Sequence, residues 1–309
     1  MRFSFSLTTC LCLAATMLSC SVGNEAGNSI TDLRCEYQRS PLTVDVQAPR
    51  FTWIYDGVDG FVQHSYSLAV ASSEEKLSSP DIWCSGTVTS SVPFARMEDT
   101  GLMVSDHEYF WQVTAWNADS TKVLVSEPAK FRTALMGRTD WKAVWVTDSH
   151  DKDFEAAPMF RKEFDAGQDV VSARVYMSAC AYAEVRLNGE PVSAAFLDPG
   201  YTHYDRRNLY TVTDVTGKVR SGENVITAVL GNGFYNEIKP VATWNFENAR
   251  WRGRARFILE LHVTHADGTT SVIASDKTWK TTADGPYISN NIYSGDTYDA
   301  RKEIAGWYE

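Results

Sequence analysis

The sequence predicts an all-β protein made of two β-sandwiches in succession, and three observations carry that expectation. Short runs that alternate polar with apolar residues, or that are rich in aromatics, recur along the chain, while long amphipathic helical patterns are almost absent. Turn dipeptides separate these runs: Asn188-Gly189, Asp267-Gly268 and Asp284-Gly285 read as hairpin turns, and Ser221-Gly222 as a further turn. With 309 residues, 12 % aromatic and 22 % charged, the chain has the length and composition for two packed cores. No internal repeat is visible, which argues against a solenoid or propeller. A formal net charge of −10 argues against a nucleic-acid partner, because such proteins track phosphates with basic surfaces.

The N-terminus reads as a targeting segment. Arg2 is the only charged side chain before Glu25, and an apolar run from Phe3 to Leu18 follows it. That run is shorter than the roughly 20 residues of a comfortable membrane span and carries Ser and Thr, as a secretory signal does. Met17-Leu18-Ser19-Cys20 resembles a loose bacterial lipobox, so residues 1–20 are expected to be a signal peptide of lipoprotein type, with Cys20 lipidated. Residues 21–29 form a polar tether; ordinary cleavage nearby is the alternative. The expected location is periplasmic, or on the outer membrane or cell surface, with the membrane touched only through the lipid anchor. Beyond Cys20 only Cys35, Cys84 and Cys180 remain, with no C-x-x-C for zinc. Single buried thiols are the favoured reading, and a Cys35–Cys84 pair is the alternative.

The first domain is placed at 30–135. Phe51-Thr52-Trp53-Ile54-Tyr55 reads as an early core strand. In the run Ser65 to Val70, Tyr66, Leu68 and Val70 share a face; from Tyr109 to Asn117, Tyr109, Trp111, Val113 and Ala115 do. Lys130-Phe131-Arg132-Thr133 closes the domain. About seven short strands, with an early Trp and a late Tyr, resemble a fibronectin type III-like sandwich whose aromatics pack the core.

A linker near Met136–Thr139 leads into the second domain, placed at 140–309, with Trp141–Val146 as its opening strand. Met159–Phe164, Ser172–Ser178, Ala183–Leu187, Asn224–Leu230 and Arg256–Val263 follow. This many strands suggests a galactose-binding-like jelly roll, two sheets face to face.

The segment Leu197 to Tyr210 is the most informative. Pro199-Gly200 is a turn, Asp205 is expected to pair with Arg206 or Arg207, and Gly231 and Gly233 bracket Asn232 where a strand ends. These residues alone are compatible with a purely structural loop. Their order, however, resembles the N-terminal domain of family-78 α-L-rhamnosidases. The family's Asn-Gly hairpin matches Asn188-Gly189, and its Leu-x-Pro-Gly-x-Thr-x-Tyr segment matches Leu197 to Tyr204. Tyr210 with Asp214-Val215-Thr216, then Gly231-Asn232-Gly233-Phe234-Tyr235, follow in the family's order. Ile292-Tyr293-Ser294-Gly295-Asp296-Thr297-Tyr298-Asp299-Ala300-Arg301, with Gly306-Trp307, resembles the family's ending.

The resemblance implies that hydrolysis belongs to a later (α/α) barrel, where an acidic pair about 6.5–9.5 Å apart inverts the anomeric centre. The chain stops at Glu309, so no catalytic residue is assigned and the chain alone is expected to be inactive. No Gly-x-Ser-x-Gly, P-loop or dinucleotide fingerprint is present. His262 and His265 point to opposite faces of a strand, against a metal pair, and His203 with Asp205 reads as a hydrogen-bonded loop pair.

Sugar binding is the activity expected to remain. Carbohydrate sites combine an aromatic face with fixed polar groups. Tyr235, Asn236, Trp244, Asn245 and Trp251, on what reads as a long exposed inter-strand loop, have the right composition; docking against the barrel is the equal alternative. Some jelly rolls of the family bind rhamnose with calcium, for which Asn188, Asp198 and Asn236 are the oxygen ligands to test. The expected partners are rhamnose-containing glycans and the catalytic barrel, in cis or in trans. Two other readings stay open: a stand-alone surface lipoprotein that binds such glycans without cleaving them, and a structural docking module.

Overall fold

A computed structural model describes residues 29–238 and 246–309, which divide into two compact units between Asp140 and Trp141. Cys20, Trp244 and Asn245 lie outside the described residues.

The first unit contains β1 (Ser29–Cys35), β2 (Arg50–Asp56), β3 (Ser65–Ala71), β4 (Trp83–Cys84), β5 (Val88–Thr89), β6 (Phe94–Arg96), β7 (Glu108–Trp116), β8 (Val123–Val125) and β9 (Ala129–Arg132). One sheet runs β1-β2-β6; the other is built around β3 and β7, with β4 and β5 on β3 and β8 and β9 on β7. Strand β7 shows why the sequence folds this way. Its apolar residues Tyr109, Trp111, Val113 and Ala115 alternate with half-buried neighbours, so one face closes on the other sheet. Phe51 meets Trp111 across the core at a ring separation of 4.7 Å. The aromatics are packing residues: Trp53, Tyr109 and Trp111 are each 1 % exposed. Their polar ends are satisfied, as burial requires. The Trp53 indole donates to Gln63 Oε1 (3.2 Å), and the Tyr109 hydroxyl accepts from Val104 N (2.9 Å), a tyrosine-corner contact.

The second unit contains β10 (Met159–Asp165), β11 (Val170–Cys180), β12 (Tyr182–Leu187), β13 (Glu190–Pro191), β14 (Tyr210–Asp214), β15 (Glu223–Gly231), β16 (Arg256–His265), β17 (Thr270–Ala274), β18 (Lys280–Thr282), β19 (Tyr287–Asn291) and β20 (Gly295–Tyr298). A five-stranded sheet, β13-β12-β15-β10-β18, faces a four-stranded one, β14-β11-β16-β17, and β19-β20 form a separate hairpin. The ladders of both sheets are antiparallel, and the core between the two sheets includes Phe160, Val175, Leu187, Ile226, Phe257 and Leu259. This is the expected jelly-roll arrangement of two packed sheets.

Three local expectations fail for identifiable reasons. Trp141–Val146 is not a strand: the Lys142 and Ala143 amides donate to the buried Glu260 carboxylate (2.6 Å for Ala143) instead of to a ladder, and only Val146 bridges to Phe257. Asp284-Gly285 joins strands that pair with different partners, so it is no hairpin turn. Gly285 is needed there because the Met159 sulfur occupies the space a β-carbon would take. Asp205 pairs with Arg250 (2.9 Å) and His203 rather than with Arg206 or Arg207. The cysteines Cys35, Cys84 and Cys180 are all free thiols.

Candidate functional site

The connection from β13 to β14 passes from the edge of the five-stranded sheet to the edge of the four-stranded sheet, across the mouth of the sandwich. A cavity of 390 Å³ opens there, in the size range of small-ligand sites. Its apolar lining comes from core residues of both sheets, Val175 and Met177 of β11, Val185 of β12 and Leu230 of β15, with Val192 on the connection. Its polar groups come from separate elements: Glu184 on β12, Ser193 and Asp198 on the connection, Thr211 and Thr213 on β14, Asn290 and Asn291 on β19 and Asp296 on β20.

Asp198 is fixed at both ends. Its backbone carbonyl accepts from Ala183 N (2.8 Å), and its carboxylate accepts from the Thr211 hydroxyl (3.3 Å). Burial pushes its pKa up, and the hydrogen bonds from Thr211 and Ser193 only partly oppose that. Asn290 accepts from Asn232 N through Oδ1 (2.6 Å), while its Nδ2 is buried without a hydrogen-bond partner. A buried carboxylate with spare acceptor capacity and an unused amide donor, set among apolar side chains, suit a small polyol that also carries an apolar group. Phe196, 95 % exposed, stands at the rim beside the exposed Leu197.

The sequence-predicted sugar residues are arranged differently. Tyr235 packs in a buried cluster with Cys180, Ala181 and Tyr204, its ring 5.3 Å from that of Tyr204. Trp251 is half-buried on the same cluster, and its indole donates to Phe234 O (3.3 Å). Burial pushes the Cys180 thiol up to about 11. Asn236 is wholly buried: Nδ2 donates to Lys152 O (2.8 Å) and Asn232 Oδ1 (3.0 Å), and Oδ1 accepts from Arg252 Nε (3.1 Å). The expectation of an exposed loop fails for these three, because a string of hydrogen bonds and ring contacts folds their loop back on the sandwich. Gly233 permits this, with φ of 50° and the Tyr182 ring where a side chain would stand. Arg254 completes the anchorage, gripping Asp148 through two bonds of 2.7 Å each. Burial works against the Asp148 charge, but the Arg254 and His150 contacts outweigh it and its pKa is lowered.

The three oxygen-bearing residues considered for calcium do not make one shell. Asn188 sits in the β12–β13 turn, its side chain bonded to Lys218 O (2.9 Å), Asn224 Oδ1 (2.8 Å) and Val225 N (3.0 Å). Asp198 is tied to the opposite end of β12, about 17 Å away at the usual strand rise, against calcium–oxygen distances near 2.4 Å. Asn236 has its carbonyl oxygen occupied by Arg252. Among the described residues, no group of three or more His, Cys, Asp or Glu is placed to hold a metal ion.

Sequence reasoning found Asp198 but missed Ser193, Phe196, Thr211 and Asn290. The available signal was Phe196-Leu197, two apolar residues side by side just before a Pro-Gly turn, where a solvated loop would be polar.

Two tandem antiparallel sandwiches, the first immunoglobulin-like and the second a jelly roll, define a class of all-β two-domain protein. Residues 168–309 match the family described as the α-L-rhamnosidase N-terminal domain, and residues 30–137 the Rha78A-like N-terminal immunoglobulin domain. An α-L-rhamnosidase of Formosa agariphila is 32 % identical over 342 residues, covering 99 % of this chain and 35 % of the relative. The solved α-L-rhamnosidase from Dictyoglumus thermophilum is 34 % identical with a TM-score of 0.80, over 90 % of this chain and 32 % of that one. The structure from Aspergillus terreus is 28 % identical with a TM-score of 0.76, over 91 % of this chain and 32 % of that one. The chain belongs to the family-78 α-L-rhamnosidases and corresponds to their N-terminal region. It spans about a third of the length of these relatives.

Proposed function

We propose that the chain is the non-catalytic front portion of an exported α-L-rhamnosidase, and that its jelly roll recognises rhamnose-containing glycans at the sandwich mouth. The observation that carries this reading is the 390 Å³ cavity in which apolar side chains of both sheets meet the Asp198, Thr211 and Asn290 side chains. A 6-deoxy sugar offers the same two kinds of group, a methyl for the apolar side chains and hydroxyls for the polar ones. The loop of Tyr235, Asn236 and Trp251 then serves as a support, linked to the site through Asn236, Asn232 and Asn290, while export through a signal peptide lipidated at Cys20 would put the chain outside the cytoplasm. Hydrolysis would belong to a barrel domain in cis or in trans.

Calorimetric titration of the chain with L-rhamnose, with and without calcium, tests the reading. Binding in the millimolar range is expected, since a single open subsite offers few contacts. The purified chain should not hydrolyse an aryl α-L-rhamnoside. Absence of heat under both conditions would leave docking of the barrel as the better account, and persistent turnover would refute the non-catalytic assignment.

A further inference from the structure

A cluster of arginines gathers on the same unit, beside the buried aromatic cluster. The sequence Arg250-Trp251-Arg252-Gly253-Arg254-Ala255-Arg256 places an arginine at every second position, and Arg206-Arg207 lies on the 192–209 connection. Three of these six meet carboxylates: Arg254 meets Asp148, Arg252 meets Asp153 and Arg250 meets Asp205. The other three do not. Arg206 and Arg207 are exposed, and neither they nor Arg256 has a carboxylate partner among the described residues. Arg250 shares Asp205 with His203 and keeps its side chain 69 % exposed.

Contacts among their supports bring Arg206, Arg207, Arg250 and Arg256 into one surface region. Arg256 lies over the Tyr235 ring (5.9 Å to the centroid), with its Nε donated to Arg254 O (3.4 Å). Tyr235 packs on Tyr204, which precedes Asp205 in sequence, and Trp251 contacts both Tyr204 (6.3 Å) and His203 (4.6 Å). The backbone amides of Arg206 and Arg207 both donate to His203 O (2.8 and 3.0 Å), so the tight turn that holds Asp205 also fixes these two residues. A local concentration of positive charge on a chain of net charge −10 creates a field that attracts anions. Guanidinium groups beside aromatic rings are suited to planar or tetrahedral oxyanions carried on a sugar ring.

We propose that this arginine surface is a second subsite of the jelly roll, and that it binds an acidic sugar residue, a uronate or a sulfate ester, of the same glycan. The proposal rests on the sugar-binding reading of the unit but uses residues outside the sandwich-mouth cavity. The intact chain is titrated with L-rhamnose, with trigalacturonate and with a sulfated galactose, at low and high salt. The expected result is binding of one or both acidic probes that weakens with salt, and a loss of roughly tenfold or more in Arg206→Glu/Arg207→Glu. Because both side chains are exposed, the fold should survive, and Arg206→Gln/Arg207→Gln separates loss of charge from repulsion. Trigalacturonate alone identifies a carboxylate site, and the sulfated sugar alone a sulfate site. Rhamnose binding without acidic-probe binding, or acidic binding unaffected by the charge reversal, overturns the proposal while leaving the cavity intact as a site. Acidic binding without rhamnose binding removes the cavity reading and keeps this one, and failure of every probe removes both.

Discussion

Two connections of the second unit, residues 192–209 and the described part of 232–255, differ in how their polar atoms are used. In the later connection, Asn236 has both ends of its amide engaged, Trp251 donates its indole N–H, and Arg252 and Arg254 each meet an aspartate. In the earlier one, Phe196 projects into solvent and Asp198 faces a cavity with only hydroxyl partners. Both stretches have the composition of a binding loop. What separates them is whether the hydrogen-bonding capacity is already consumed inside the protein, because a satisfied buried amide has nothing left to offer a ligand.

The largest expected effect lies in the consumed loop. Arg254→Ala should destabilise the second unit by about 3–5 kcal/mol, since it leaves the Asp148 carboxylate buried without its cation. Thermal unfolding of the variant checks this, and a shift no larger than that of a surface substitution would contradict the anchoring role. The pair also sets an acid limit. The Asp148 pKa is lowered in the fold, so its contribution is fully present above the ordinary value of 3.8 and is lost as pH falls through the lowered folded value. Wild-type stability should therefore drop more steeply below about pH 4 than that of Asp148→Asn, measured by the same melts.

How much was legible in the sequence follows the same division. Strand β7 was readable because alternation at period two directly reports which face is buried. The family's turn motifs were readable because Asn188-Gly189 takes positive φ values of 52° and 84°, which few residue pairs tolerate. The segment Trp141–Val146 was misread because its apolar pattern is that of a strand, while its amides are claimed by Glu260, more than a hundred residues away. Asn290 was invisible for a similar reason: its place at the cavity depends on a bond to Asn232, 58 residues distant. Long-range pairing of single polar atoms leaves no periodic trace.

Asn236→Ala sharpens the contrast at intermediate size. It would strand Arg252 Nε, Lys152 O and Asn232 Oδ1 at once, and a loss of roughly 2–3 kcal/mol is expected. Rhamnose affinity measured well below the melting temperature should be unchanged, because no atom of this side chain is free to reach a sugar. A large loss of affinity with unchanged stability would return Asn236 to the binding surface.

Phe196→Ala is the smallest perturbation to the fold and the most direct test of the open connection. A side chain 95 % exposed contributes almost nothing to packing, so stability should stay within about 0.5 kcal/mol of wild type. Beside the exposed Leu197 at the rim of a cavity, this phenyl ring is placed to be covered by a ligand or by another domain. Stacking of a sugar face on such a ring is worth on the order of 0.5–1.5 kcal/mol, which corresponds to a loss of several-fold in rhamnose affinity on truncation. If affinity falls while the melt does not move, exposure marks a binding surface in this connection, as burial marks a support in the other. If neither moves, Phe196 serves the docking of another domain, and binding of the isolated chain to a catalytic barrel supplied in trans should then weaken in the same variant.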